Sequence, residues 1–367
     1  MRVLVVNAGS ATLKLRVVDP GGTVAGDVHV DAWAGDHPTP ALDAILERSG
    51  PVDAVGHRVV HGGRDFTDAV VVDDGVEARI EALSSLAPLH QPRALAAMRA
   101  ARTALPALPH VACFDTAFHA TMPDAARTYA LPAAWRARWG LGRFGFHGLS
   151  HSWAARRAAE LLGQPPRALR TVTCHLGAGA SLCAVVDGRS VDTTMGFTPL
   201  DGLVMATRSG AVDPGLVVWL TTAGGLSPSE VGDGLERHAG LAGLGGGSGD
   251  MREVLARRMA GDAEARFAFD VYVHRLRREI AAMAAAAGGL DVLVFTGGVG
   301  EHAPPVRAAA AEGLEFLGVG LDAAANEQAE ADAVIGAPGA PVATVVVTAR
   351  EDLEIARDVR RLAASDG

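Results

Sequence analysis

The stretches VLVVNAGSATLKLRVVD (Val3–Asp19) and VTCHLGAGASLCAVVDGRSV (Val172–Val191) are one pattern written twice. At one constant offset Gly9 pairs with Gly177, and Val17-Val18-Asp19 with Val185-Val186-Asp187. Each copy reads as strand, Gly-bearing tight turn, strand and polar turn (DPGG, DGRS), which signals a β-hairpin. Two such hairpins, each followed by mixed strands and helices, predict two similar α/β halves with a nucleotide cleft between them. Glycine turns expose backbone N–H groups to phosphate and let the main chain approach a ligand closely.

Composition agrees with two domains, because 367 residues exceed what one hydrophobic core usually organises. Apolar residues at 49% and a mean hydropathy of +0.19 describe a soluble globular protein. A formal charge of −9 and no basic run interleaved with aromatics argue against a nucleic-acid partner. A local cluster of Arg can still bind small anions inside an acidic whole. Cys113, Cys174 and Cys183 lie in apolar, strand-like surroundings without a CxxC pair, so they read as buried thiols of a reducing cytoplasm. VLVV is too short for a signal-peptide core, and IAAMAAAAGGLDVLVF is broken by two Gly and Asp291, so no membrane span is expected.

Lys14 is the only lysine, and Asn7 is one of two asparagines, the other being Asn326. Both fall in NAGSATLK, with Ser10 and Thr12. Helical periodicity marks SHSWAARRAAELLG, with Ser150 or Ser152 as cap and Gly163 as stop, and ARFAFDVYVHRLRREIAAMAAAAGG. The strand-then-GGVG arrangement at DVLVFTGGVG is a third candidate phosphate or nucleoside loop. HAGLAGLGGGSGDMRE, the most glycine-dense segment, reads as a mobile loop.

Several polar residues stand where chemistry could occur. Arg58 opens a β-branched run between His57 and His61, a setting also expected of a solvated strand end. Asp115 follows the apolar run VACF directly, as active groups of α/β proteins do at a strand's carboxyl end; a helix N-cap would look the same. His147 and His151 have the spacing of a zinc helix, but the Glu of HExxH is missing and Gly148 places the first His ahead of the helix. A His donating to a charged transition state fits better. Arg208 lies in a polar, turn-rich stretch.

Taken in order, NAGS.TLK, GHRVVHGG, APLHQP, CFDTAFH, GFHGLSH, CHLGAG, MGFTPLDGL…TRSG.VDP, FTGGVGEH and EDLEIAR resemble the acetate kinase family from end to end. The resemblance implies two duplicated ribonuclease-H-like, actin-like ATPase domains. The first spans 1–151 and is completed by 353–367; the nucleotide-binding one spans 152–352. It also implies reversible transfer of the ATP γ-phosphoryl group to acetate with Mg²⁺, or Mn²⁺, giving acetyl phosphate and ADP, in a cytoplasmic homodimer.

Such a transfer has a loose transition state with charge on three equatorial oxygens, so positioning and cations do most of the work. By resemblance, Arg58 and Arg208 clamp acetate and the phosphoryl group, His147 stabilises the same charge with help from His90, and Asp115 holds Arg and the metal environment in register. Asn7 and Glu351 would hold the metal. Ser10, Thr12 and Lys14 would face phosphate, as would His175, Gly177, Ala178 and Gly179. Asp250, Arg252, Gly297, Gly298, Val299, Gly300 and Glu301 would serve the nucleoside end. Val60, Leu89, Phe146 and Pro199 would line the acetate methyl pocket, where one methylene is worth about 1–3 kcal/mol, so propionate is an expected slower substrate.

This chain departs from the family pattern at Ala178, where Asn follows LG, at Ala206 and His302, and at Ala349-Arg350 before Glu351. The first three bear on nucleotide affinity, and the last on the metal role given to Glu351. A phosphatase of the same fold would need an activated water in the apolar acyl pocket. A nucleotide-sensing scaffold would have no use for two Arg, His147 and Asp115.

Overall fold

The computed structural model describes residues 1–9, 12–31, 33, 39–88 and 90–363. The chain divides into two compact units. The first contains Met1–Ala120, Phe146–Trp153 and the described residues from Arg350 on; the second contains Thr121–Gly145 and Ala154–Ala349.

The first unit is built on a six-stranded sheet. Its strands are β1 (Val3–Ala8), β2 (Thr12–Val18), β3 (Val24–Asp31), β4 (Ala54–Val59), β5 (Val70–Val71) and β6 (His110–Phe114), in the order β3-β2-β1-β4-β6-β5. The hairpin is antiparallel, with Asn7 opposite Lys14, whereas β1, β4 and β6 run parallel. The second sheet comprises β7 (Arg170–Leu176), β8 (Ala180–Val186), β9 (Arg189–Thr193), β10 (Val292–Thr296), β11 (Ala333–Val334) and β12 (Ala343–Val346). Its order, β11-β12-β10-β7-β8-β9, is the first sheet's order read from the other edge, with the same parallel and antiparallel pairs. The repeated hairpin thus seeds two sheets of one topology. In each, the register slips once on the next strand, at Val17/Val18 and at Ala184/Val185.

The turns follow from residue type. Between β8 and β9, Asp187 (φ 54°) and Gly188 (φ 74°) both take left-handed backbone, as a two-residue hairpin of right-handed strands requires. Gly9 N donates to Thr12 O at 2.7 Å, and Gly177 N to Gly179 O at 3.0 Å, closing the two Gly turns.

Strand β1 is buried on both faces. Leu4 and Val6 pack with Leu13, Leu15, Leu42 and Ile45, while Val3 and Val5 pack with Ile355, Ala356 and Val359 of the Glu351–Ala363 helix. Only Gly fits at position 56, where a Cβ would stand 2.5 Å from Ile355 Cγ2. In the second unit the Ala263–Ala286 helix lays Tyr272, Leu276 and Ile280 against the sheet, its start capped by Asp262.

Two local expectations need correction. The helix expected to start at Ser150 or Ser152 begins at Gly148 and runs to Leu161. Gly148 N donates to Asp115 O, so the first turn is anchored by that carbonyl, and Ser152 instead donates to Glu354. The segment HAGLAGLGGGSGDMRE is ordered structure, with helices at Gly240–Gly245 and Met251–Met259. Its glycines serve close packing: Gly240 has φ +61°, and a Cβ there would meet Met205 O at 2.3 Å. The three cysteines are buried and unbridged; burial pushes all three thiols up, Cys183 to about 12.

Candidate active site

Asn7, Arg58 and Asp115 come from the ends of three neighbouring parallel strands, β1, β4 and β6. Carboxyl ends of such strands open to solvent and ligand. Arg58 Nη2 donates to Asp115 Oδ2 at 2.6 Å and Nε to Oδ1 at 3.0 Å, while Nη1 donates to Asn7 Oδ1 at 3.2 Å. Asn7 Nδ2 donates in turn to Glu351 Oε2 at 3.3 Å, and that oxygen lies 3.8 Å from Arg58 Nε. A guanidinium carries five N–H donors. Three are engaged here, which leaves one on each terminal nitrogen, without a partner among the described residues, for an incoming anion.

The charges are fixed by burial and pairing. The side chains of Arg58 and Asp115 are 15% and 1% exposed. Burial works against the Arg58 charge, but Asp115 and Glu351 outweigh it and hold the guanidinium above its ordinary value. Burial pushes the Asp115 carboxyl up, against the pull of Arg58 and of the His147 N–H that it accepts. Glu351 stands in the first turn of its helix, where the macrodipole favours a carboxylate.

His147 has φ 56°, a left-handed backbone that costs a non-glycine residue about 1 kcal/mol or more. Asp115 helps to enforce it, since its carboxylate takes the His147 N–H and its carbonyl takes the Gly148 N–H at 2.9 Å. A Cβ at Gly148 would stand 2.2 Å from Asp115 O, so no other residue fits there. Phe146 and Val60 are buried, and Phe146 meets His61 edge-on, with ring centroids 5.4 Å apart. His90 occupies the N-cap of the Gln91–Ala104 helix. Thr12 and Lys14 lie on β2, Lys14 exposed. Ser10 and Leu89 fall outside the described residues.

The second unit holds a cavity of about 540 Å³. Gly177, Ala178, Asp250, Arg252, Gly298 and Val299 line it, together with Ala206, Tyr272 and His302. Asp250 caps the Met251–Met259 helix and accepts from Arg252, which holds its carboxyl below the usual value. Other expected residues stand elsewhere. Gly297–His302 is a short helix rather than a loop: Gly297 (φ 77°) packs on Leu176, Gly300 on Phe295, and Glu301 Oε1 accepts the Ala349 N–H at 3.0 Å. His175 lies within β7 and Gly179 closes the Gly177 turn; neither lines the cavity.

Arg208 is largely buried and, among the described residues, pairs with no carboxylate. Its Nη1 donates to Pro199 O at 2.7 Å. Burial pushes its pKa down and Glu236 only partly opposes this, so the site holds a cation that an anion would stabilise.

Some supporting residues escape sequence reading. Arg143 Nη1 donates to the carbonyls of Thr193, Thr194 and Met195, and the Tyr129 hydroxyl accepts the Phe197 N–H, so both brace the segment leading to Pro199. Gln91 bonds both the N–H and the carbonyl of His61. Such groups act through main-chain bonds, which no local motif announces.

A profile of the Acetokinase family matches residues 41–357. The chain belongs to the acetokinase family. The acetate kinase of Leifsonia xyli subsp. xyli is 45% identical over 399 residues, covering 99% of both chains. Among solved structures similar to this member, the Porphyromonas gingivalis acetate kinase is 36% identical with a TM-score of 0.90, covering 99% of each chain. A propionate kinase from Francisella tularensis subsp. tularensis is 33% identical, also with a TM-score of 0.90, covering 98% of this acetokinase chain and 99% of its own.

Proposed function

We propose that this chain is an acetate kinase that transfers the γ-phosphoryl group of ATP directly and reversibly to the carboxylate of acetate. The observation that carries this reading is Arg58, mostly shielded from solvent and locked in plane by both oxygens of Asp115, with two N–H groups left for an anion. A planar fork of this kind matches phosphoryl and carboxylate geometry, and fixing it in advance avoids reorganisation during transfer. Arg208 supplies a second guanidinium to the charge that develops on the transferring group. His147 donates to the equatorial oxygens with His90 assisting, and Val60, Leu89, Phe146 and Pro199 are the residues assigned to meet the methyl group.

ATP occupies the cavity of the second unit, its phosphates on the Gly177-Ala178 turn and its nucleoside end near Asp250, Arg252, Gly298 and Val299. In the same reading Gly179 and His175 shape the turn, and Gly297, Gly300 and Glu301 set the helix beneath it. Ser10, Thr12 and Lys14 are assigned to the phosphate side of the first domain, Thr12 and Lys14 from β2. In this reading that domain is residues 1–151 completed by 353–367 and the nucleotide-binding domain is 152–352, although Thr121–Gly145 falls within the second compact unit.

Asn7 and Glu351 suit Mg²⁺, with Mn²⁺ as a substitute. Both offer oxygen, and Glu351 Oε1 accepts no hydrogen bond from a described residue. No group of three or more His, Cys, Asp or Glu among the described residues could cage a metal, so phosphate and water would complete the shell. When bound, the ion neutralises charge on the phosphate oxygens.

A homodimer is supported by the Pro214–Thr222 helix, PGLVVWLTT, which has no polar face and leaves Val218 61% and Trp219 56% exposed. A cytoplasmic setting is supported by the three unbridged thiols. Among the described residues, no helix is long and apolar enough to cross a membrane.

The test is Mg-dependent ADP release with acetate, propionate and butyrate as acceptors. The reading expects acetate to be preferred, propionate slower, and activity lost on chelation. A preference for propionate would instead favour the activity named for the Francisella relative.

A further inference from the structure

His119 lies in the Ala117–Thr121 turn, 1% exposed, in the same unit as His147. Its Nε2 is 3.0 Å from the carbonyl oxygen of Phe146, the residue before His147, and its ring meets those of His151 and Phe118 edge-on. A carbonyl only accepts, so Nε2 carries the proton. Burial pushes the imidazole down to about 4, which keeps it a neutral donor at neutral pH.

With this bond, three consecutive residues are anchored. His119 takes the carbonyl of Phe146, the Asp115 carboxylate takes the N–H of His147, and the Asp115 carbonyl takes the N–H of Gly148. His147 is left-handed, and a strained backbone persists only where its surroundings over-determine it. We infer that His119 is a positioning residue for His147, its Nε2–H fixing the Phe146 carbonyl so that the His147 imidazole is held where transfer needs it. The inference rests on the role given to His147 above.

Two substitutions separate this donor from simple filling of space. In His119→Gln the amide N–H₂ reaches the place of Nε2, whereas in His119→Asn it stops near the place of Nδ1. The expected result is that His119→Gln keeps kcat within about threefold of the parent, while His119→Asn loses at least tenfold in kcat with the KM for ATP unchanged. In parallel, the ring resonances of His147 in NMR spectra should shift in His119→Asn and stay in place in His119→Gln. Equal kcat and unshifted His147 resonances in both folded variants would overturn the proposal, as would equal losses in both. If the parent protein forms no acyl phosphate, the functional reading fails, but the resonances still decide whether His119 positions His147.

Discussion

Arg58 grips Asp115 through two hydrogen bonds, at 2.6 and 3.0 Å, with Asp115 buried and Arg58 mostly shielded at the ends of adjacent strands. The pair is a scaffold for the two remaining guanidinium N–H groups. Removing one partner of a buried ion pair leaves the other uncompensated, which costs about 3–5 kcal/mol. Asp115→Asn should therefore lower thermal stability as well as turnover. Arg58→Lys, which keeps the charge but loses the fork, should lower kcat by about 10³-fold with little change in ATP affinity. Steady-state kinetics and melting curves on both variants check this, and wild-type turnover in Arg58→Lys would contradict it.

Ala178 lines the cavity of the second unit, the site proposed for ATP, where the family pattern has Asn. A hydrogen bond to a charged group contributes roughly 1.5–3 kcal/mol. Ala178→Asn should then lower the KM for ATP at least about tenfold while the KM for acetate stays the same. No change would mean that a backbone amide or water already fills that role.

Acid should destabilise the fold through its buried histidines. Burial lowers the pKa of His57, whose Nε2 lies 2.9 Å from His110 Nδ1, and likewise of His110 and His119. Above about 6.5 both folded and unfolded chains are neutral at these sites. Below it the unfolded chain binds protons that the folded chain refuses, so stability falls with pH until the folded value is reached. For His119, whose folded value is about 4, the loss at pH 5 is about 2 kcal/mol. Melting curves at pH 7.5 and 5 should show the drop, and it should shrink in His119→Gln. A melting temperature that rises on acidification would refute this.

The apolar Pro214–Thr222 helix gives the proposed dimer a surface to test. Trp219→Asp should convert dimer to monomer in light scattering at micromolar concentration without unfolding the chain. A parent protein that is monomeric across that range, or a variant that stays dimeric, would remove this helix as the interface.

The duplicated hairpin made the two-sheet fold legible, because glycine turns and alternating apolar residues are local signals. The same locality explains the misreadings. Ser150 and Ser152 look like caps in sequence, but the Asp115 carbonyl anchors the helix start from 33 residues away in the chain at Gly148. The glycines of HAGLAGLGGGSGDMRE look like a loop because nothing local shows Met205 O pressing on Gly240. Arg58 and Asp115 stand out locally as a cation and a carboxylate near strand ends, but only the family resemblance gives them a shared role; their 57-residue separation hides the pairing. His119 stayed hidden because its bond to Phe146 is to a main-chain carbonyl.

This chain is proposed to make acyl phosphate directly from ATP and acetate through its two arginines. Hydroxylamine trapping with purified protein, Mg-ATP and acetate, run beside Arg208→Ala with ATP binding measured separately, tests it most directly. Acetyl hydroxamate is expected from the parent protein, with a loss of about 10³-fold or more in Arg208→Ala while ATP still binds. Bound ATP without hydroxamate from the parent, or undiminished product from Arg208→Ala, would contradict it.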